Sequence, residues 1–120
     1  GEQSQGLLLN ARGTYFSPVV FPNFAERVCR FVLWARDNDG DINVTARLMR
    51  KRLATTNAFA PPEVMAQVSS TGANPNLRAF IDSTIAAPLP NASFVYYVEL
   101  VVPGETLEVA GVRIETRPTC

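Results

Sequence analysis

Short runs in which apolar and polar residues alternate recur roughly every ten residues along this 120-residue chain. The clearest lies at residues 93–102, SFVYYVELVV, and others lie at residues 15–20, 63–70 and 107–116. A period of two places successive side chains on opposite faces of a β-strand. Proline and glycine separate the runs, and strands spaced in this way are typical of sandwiches and barrels. The sequence therefore predicts an all-β fold, an antiparallel β-sandwich of jelly-roll type with six to eight strands.

The longest strand-like stretch, residues 27–52, has a polar segment, DNDGD, at residues 37–41. Asp-Gly and its neighbours tolerate the positive φ that hairpin turns require. The stretch therefore predicts a central β-hairpin. Its first strand places Cys29 and Phe31 on one face and Trp34 on the other.

The length of 120 residues predicts one domain with a sizeable core. We expect a flexible N-terminal arm over residues 1–13 and a single β-sandwich domain over residues 14–120. The apolar run at residues 7–9, LLL, has two interpretations. It is either an edge strand of the same domain or a strand exchanged in an oligomer.

Composition argues against several classes of function. Eleven acidic and eleven basic residues give a net charge of zero, which disfavours nucleic-acid partners held by long-range charge. No apolar run approaches the roughly 20 residues of a membrane span. The absence of histidine from the sequence removes Ser-His-Asp and Cys-His catalysis and histidine-ligated metals. No spacing singles out a pair of catalytic carboxylates, so we expect a non-enzymatic protein without a resident cofactor.

The chain contains two cysteines, Cys29 and Cys120. We expect them to form a disulfide that ties the C-terminal tail to the sheet. The alternative is a buried free thiol at Cys29 and an exposed one at Cys120. A disulfide would imply an oxidising compartment, so the predicted location is secreted, extracellular or periplasmic.

The proline-containing loop, the stretch LWARDNDGDINVTARLMR and the closing FVYYVELVVPGETLEVAGVRIE together resemble secreted bacterial β-sandwich domains. Domains of that type form the C-terminal parts of uncharacterised extracellular proteins. The resemblance covers residues 16–115 and consists of the order of strands and turns. It implies secretion and a non-enzymatic role, and it supplies no site residues.

Three acidic residues, Asp37, Asp39 and Asp41, alternate across the predicted turn. Carboxylate oxygens at this spacing are suitable ligands for calcium. The alternative is a structural turn, because Gly40 precedes the third acidic residue and no matching glutamate follows, unlike the calcium loop of an EF-hand. Calcium is therefore the one metal that the sequence suggests.

Arg47 and the basic run at residues 50–52 are candidates for binding an acidic or anionic partner. The alternative is a solvated strand face on which arginines pair with glutamates of neighbouring strands, namely Glu99, Glu108 and Glu115.

Trp34, Tyr96 and Tyr97 are candidates for a sugar-binding or subunit surface, since aromatic side chains are amphipathic. The alternative places them in the core. The first functional hypothesis is a secreted assembly domain that mediates protein–protein association, as a homo-oligomer or within a larger assembly. The second is a carbohydrate-binding, lectin-like module that binds a glycan, assisted by calcium.

Overall fold

A computed structural model describes residues 1–9, 11–53 and 60–120. The described residues form eight strands, each of five to eleven residues. In chain order the strands are β1 (Glu2–Leu9), β2 (Gly13–Val19), β3 (Arg27–Asp37), β4 (Thr45–Arg52), β5 (Glu63–Ser69), β6 (Arg78–Asp82), β7 (Phe94–Val102) and β8 (Leu107–Arg117).

The strands form two four-stranded sheets. Sheet A has the order β1-β8-β3-β6, and sheet B has the order β2-β7-β4-β5. All neighbours are antiparallel, and the pairs β1·β8, β2·β7, β3·β6 and β4·β5 are nested in the chain. This nesting arises when the chain forms one long hairpin with four strands in each arm, and the hairpin then folds into two layers. That arrangement is the jelly-roll topology. The predicted all-β sandwich is confirmed.

The core lies between the two sheets. Strands β2 to β8 contribute side chains to it, largely in alternation, as the period of two predicts. Phe31 and Leu33 of β3 are fully buried, and they face residues such as Leu48 and Val98 of sheet B. In β7 the alternation predicts five inward residues, and all five line the core or its margin: Phe94, Tyr96, Val98, Leu100 and Val102.

The prediction of a central hairpin at residues 27–52 is wrong. β3 pairs with β8 and β6 in sheet A, whereas β4 pairs with β7 and β5 in sheet B. The DNDGD segment crosses from one sheet to the other. Alternation reports only which face of a strand meets the core, so it cannot distinguish a strand that pairs with its neighbour in the chain from one that pairs elsewhere.

The described part of the predicted flexible arm, residues 1–9 and 11–13, is not a flexible arm. Glu2–Leu9 is the edge strand β1 of sheet A, paired along β8, and Gly13 already begins β2. Of the two interpretations for residues 7–9, the structure therefore has the edge strand. An edge strand needs a single hydrogen-bonded neighbour, and here that neighbour lies more than one hundred residues away along the chain, at Glu115 opposite Glu2.

Three β-bulges change which residues face the core. Extra residues stand at Cys29 in β3, Met65 in β5 and Ala110 in β8, as the shifts in register show. Gly111 within the last strand-like run predicts a bulge there. The bulge at Ala110 lies directly next to it. A bulge inserts one unpaired residue and reverses the alternation beyond it. For this reason Val28, and not Cys29, is buried in the core.

Alternation over residues 77–85 predicts that Leu77, Ala79, Ile81 and Ile85 face the core. In β6 this face is reversed, because Ala79 and Ile81 are both exposed. Phe80, which pairs with the buried Leu33, packs against the core instead. β6 is short and lies at the edge of its sheet, so its own sequence carries little information about its orientation.

The predicted Cys29–Cys120 disulfide is present. It joins the bulge in β3 to the tail after β8, and the two cysteines are 91 residues apart in the chain. The disulfide thus fastens the end of the chain to an inner strand of sheet A.

Candidate functional site

The three aspartates of the predicted calcium site do not share one environment. Asp37 is fully buried at the end of β3. Its carboxylate accepts hydrogen bonds from the Ser70 hydroxyl at 2.5 Å and from the Asp39 backbone N–H at 3.1 Å. With its amide oriented so that the nitrogen faces acceptors, Asn43 also donates to Asp37 Oδ2, at 2.8 Å. Asp37 thus acts as an internal acceptor that holds the crossing between the sheets.

Asp39 closes the outer part of the same crossing. Its Oδ1 accepts from the backbone N–H of Asp41 at 2.8 Å and of Ile42 at 3.3 Å, and its Oδ2 accepts from the Thr106 hydroxyl at 2.9 Å. Asp41 itself is exposed. The described residues contain no group of three or more His, Cys, Asp or Glu placed to hold a metal ion. Calcium at this segment stays a prediction, while the structural turn accounts for the bonds of Asp37 and Asp39.

Gly72 brings a second loop against this crossing. A Cβ atom at residue 72 would lie 1.5 Å from the Asp39 carbonyl oxygen. No side chain fits in that space, so the close approach of the two backbones requires glycine. The Asn74 backbone N–H then donates to the Asp37 carbonyl oxygen at 3.0 Å.

Hydrogen bonds to its charged form lower the pKa of Asp39 below its ordinary value of 3.8, first the bond from the Asp41 N–H and then that from the Thr106 hydroxyl. A lowered carboxylate pKa stabilises the folded state above the ordinary value, and that contribution is lost as the pH falls below 3.8 through the lowered value. We expect Asp39→Asn to flatten the acid limb of the stability curve. Urea unfolding at a series of pH values measures this. An unchanged acid limb in the variant would contradict the assignment.

Arg47 is held by partners within sheet B. Its Nη1 lies 2.8 Å from Glu99 Oε1, and its Nε donates to Gln67 Oε1 at 2.9 Å. The other expected pairs are also present, Arg36 with Glu108 and Arg30 with Glu115. The structure therefore has the arginine–glutamate pairing that the sequence offered as the alternative to an anion-binding face.

The predicted aromatic residues lie in three separate places. Tyr96 is buried in the core, and its hydroxyl accepts a hydrogen bond from the Asn91 N–H at 2.9 Å. Tyr97, next in the chain, lies on the outer face of sheet B. Trp34 is exposed on the outer face of sheet A, the side opposite the core residues Phe31 and Leu33. No single platform contains all three.

The outer face of sheet B carries an apolar row that crosses all four strands. The register aligns Pro18 with Tyr97, Tyr97 with Met49, and Met49 with Val64. Residues aligned in this way on one face are near enough for their side chains to touch. A continuous apolar row thus runs from β2 to β5.

Two further residues widen this row into a surface. Phe16 lies on the same face of β2 and is 64% exposed, with its ring centroid 6.1 Å from that of Tyr97. Val95 precedes Tyr97 on the same face of β7 and is also exposed. We call this set the apolar face of sheet B: Phe16, Pro18, Met49, Val64, Val95 and Tyr97.

Of the residues on this surface, only Tyr97 is a candidate on the sequence alone. One further signal was available in β4, where Met49 interrupts an otherwise polar face that includes Thr45 and Arg47. Its partners on β2 and β5 had no such signal. They become neighbours only through the register of four strands that are distant in the chain.

The edge of sheet B beside this surface is partly closed. The Gln67 N–H of the edge strand β5 donates to Asp82 Oδ2 at 2.9 Å, and the Met65 carbonyl accepts from the Ala86 N–H at 2.8 Å. Occupied backbone groups cannot pair with another strand. These two backbone groups of β5 are therefore not available to an added strand.

No protein-family model, curated protein or solved structure matches the chain. The resemblance to secreted bacterial β-sandwich domains stays a prediction. Within the described residues, no helix has the length and apolar character to cross a membrane.

Proposed function

We propose that this domain is a non-enzymatic assembly module that associates with a second copy of itself through the apolar face of sheet B. The observation that carries the proposal is the row Pro18, Tyr97, Met49 and Val64, which spans the full width of the sheet. Met49 within the row is only 7% exposed, but Phe16, Val64 and Val95 of the same face are 64%, 46% and 44% exposed. Exposed apolar patches on soluble proteins mark interaction sites.

Charge supports a second copy as the partner. The ion pair beside the row, Arg47 with Glu99, is neutral as a unit, and the whole chain carries no net charge. Two copies therefore approach without long-range repulsion. A twofold arrangement places the same surface on both sides of the contact, which is the commonest form of a homodimer.

Area indicates how strong the association is. Four strands about 4.8 Å apart and about 25 Å long present roughly 500 Å² per copy, or about 1,000 Å² in total. This lies at the lower limit for a specific interface. We therefore expect a reversible dimer with a dissociation constant of about 10 µM or weaker.

The disulfide supports a location in an oxidising compartment, either outside the cell or in the periplasm. Bridged cysteines persist there and are rare in a reducing cytosol. The Cys29–Cys120 bridge and the predicted secretion agree in this respect.

Val64→Lys tests the proposed surface. We expect the dissociation constant to rise about tenfold or more, because a lysine at the row is buried without a partner when two faces meet. Sedimentation equilibrium over a range of concentrations measures this. Val64 lies on an edge strand and is 46% exposed, so the substitution leaves the fold intact.

Ile81→Lys is the matched control. Ile81 is 50% exposed on β6, an edge strand of sheet A. The Ile81→Lys substitution therefore makes the same chemical change on the opposite face of the sandwich. We expect it to leave the association unchanged. A wild-type chain that stays monomeric at about 1 mM would reject the proposal, as would equal effects of the two lysines.

A further inference from the structure

The outer face of sheet A carries a different kind of surface, centred on Trp34. In the register of sheet A, Trp34 lies between Ala79 on β6 and Gly111 on β8, and Gly111 lies beside Gly6 on β1. The other three residues of this row are thus alanine and two glycines, and the two next to Trp34 are Ala79 and Gly111. A row that contains one large aromatic ring and otherwise minimal side chains leaves the flank of that ring open.

Larger side chains border this row on both sides. On one side Arg36 and Glu108 form an ion pair of 3.1 Å, with 45% and 32% of their side chains exposed. On the other side the register aligns Ile81 with Val32, and Val32 with Arg113. Successive rows on one face are about 7 Å apart, so the small residues form a shallow trough. The Arg36–Glu108 pair borders it on one side, and Ile81 and Arg113 border it on the other, where Val32 between them is only 3% exposed. We call it the Trp34 trough.

A β-bulge shapes the trough. The extra residue Ala110 lies next to Gly111, where the register of β8 shifts against both β3 and β1. Bulges bend a strand and increase its twist locally, and they occur frequently beside binding sites. The bulge offsets the Glu108 side of the trough from the Gly111 row.

The chemistry of the trough suits a sugar more than a protein. An exposed tryptophan face is apolar, while Arg36 supplies N–H donors and Glu108 supplies acceptor oxygens directly beside it. A pyranose whose hydroxyls are all equatorial has the matching pattern, because its C–H bonds form an apolar face and its hydroxyls lie around the rim. Binding sites of this type combine an apolar wall with a few placed polar groups.

We propose that the Trp34 trough binds a neutral, β-linked pyranose oligosaccharide. Neutrality follows from the charges, since Glu108 balances Arg36, and Arg113 lies 4.0 Å from Glu2. The row from β6 to β1 spans about 14 Å, the length of roughly three pyranose units. This site lies on the opposite side of the sandwich from the apolar face of sheet B. Sugar binding and dimer formation are therefore independent proposals, and either can be rejected without the other.

Trp34 is the only tryptophan in the chain, so its fluorescence reports directly on the site. The experiment titrates the Val64→Lys variant, chosen to keep the chain monomeric, with cellohexaose and with xylohexaose. We expect a saturable change in emission and matching heat by calorimetry, with a dissociation constant of about 10 µM to 1 mM. No change in either signal with either sugar up to about 5 mM would overturn the proposal.

Two substitutions assign the binding to the trough. Trp34→Ala should weaken binding by calorimetry about tenfold or more, because it removes the stacking surface. Ala79→Leu should weaken it similarly while Trp34 stays in place, because leucine fills one end of the trough. Phe16→Ala, on the other sheet, should bind as before. Unaltered affinity in both trough variants would overturn the assignment, and so would a preference for hexagalacturonate, which is anionic.

Discussion

Replacement of both cysteines by serine is expected to remove about 4–5 kcal/mol of unfolding free energy, the largest effect of any change considered for this chain. The loop closed by Cys29 and Cys120 holds strands β4 to β8 and most of β3, with 91 residues of separation between the cysteines. A crosslink over so long a loop strongly restricts the unfolded chain, and on the chain-entropy model this restriction is the main source of its stabilising effect. We expect the melting temperature to fall by about 15 °C.

Urea unfolding of the wild-type chain and the double variant measures this loss. Treatment of the wild type with a reducing agent is the control, because it opens the same bridge without changing the sequence. The two losses should agree within about 1 kcal/mol. A double variant that loses less than about 1 kcal/mol would contradict the prediction and would indicate that the unfolded chain is already compact.

Asp37→Ala is expected to lower the unfolding free energy by about 3 kcal/mol. The alanine removes the acceptor of two donors, the fully buried Ser70 hydroxyl and the Asp39 backbone N–H. Buried donors that lose their acceptor retain the full cost of their desolvation. The crossing between the sheets and the close approach at Gly72 depend on this carboxylate, so local order should fall with stability.

Asp41→Ala is the matched control for Asp37→Ala. Both residues are aspartates of the same crossing, but Asp41 is exposed whereas Asp37 is fully buried. The Asp41 change should stay within about 0.5 kcal/mol of wild type by urea unfolding. Equal losses in the two variants would show that the hydrogen bonds of Asp37 are not the source of stability.

The sequence was sufficient to identify most of the strands, though not the full length of β1, and it did not identify their partners. Alternation at residues 93–102 and 27–36 located β7 and β3, because burial on one face leaves a local mark on the chain. Pairing leaves no such mark. β1 pairs with β8, and β3 with both β6 and β8, through contacts between residues that are far apart in the chain. The hairpin expected at residues 37–41 failed for this reason.

Faces could be predicted only where no bulge intervened. The outward position of Trp34 follows from Phe31 and Leu33 and holds in the structure. Cys29 is itself the extra residue of a bulge, and Val64 directly precedes the extra residue of another. Simple alternation places both side chains on the core face, which is wrong for both. The candidate surfaces were harder still to predict. The apolar face of sheet B forms only when four strands are in register. The Trp34 trough depends on glycines, which matter because they have no side chain to fill it.

The disulfide has a mechanical consequence. When a pulling force acts on Gly1 and Cys120, tension passes through the sulfur atoms to Cys29 and bypasses the closed covalent loop between the cysteines. Only residues 1–29 can then be drawn out, about 100 Å at roughly 3.5 Å per residue, against about 400 Å for a chain without the bridge. Residues 30–119 lie inside the closed loop, so their backbone is not extended. A domain under tension would yield by a short, limited extension and retain most of its sheet structure as a template for recoil.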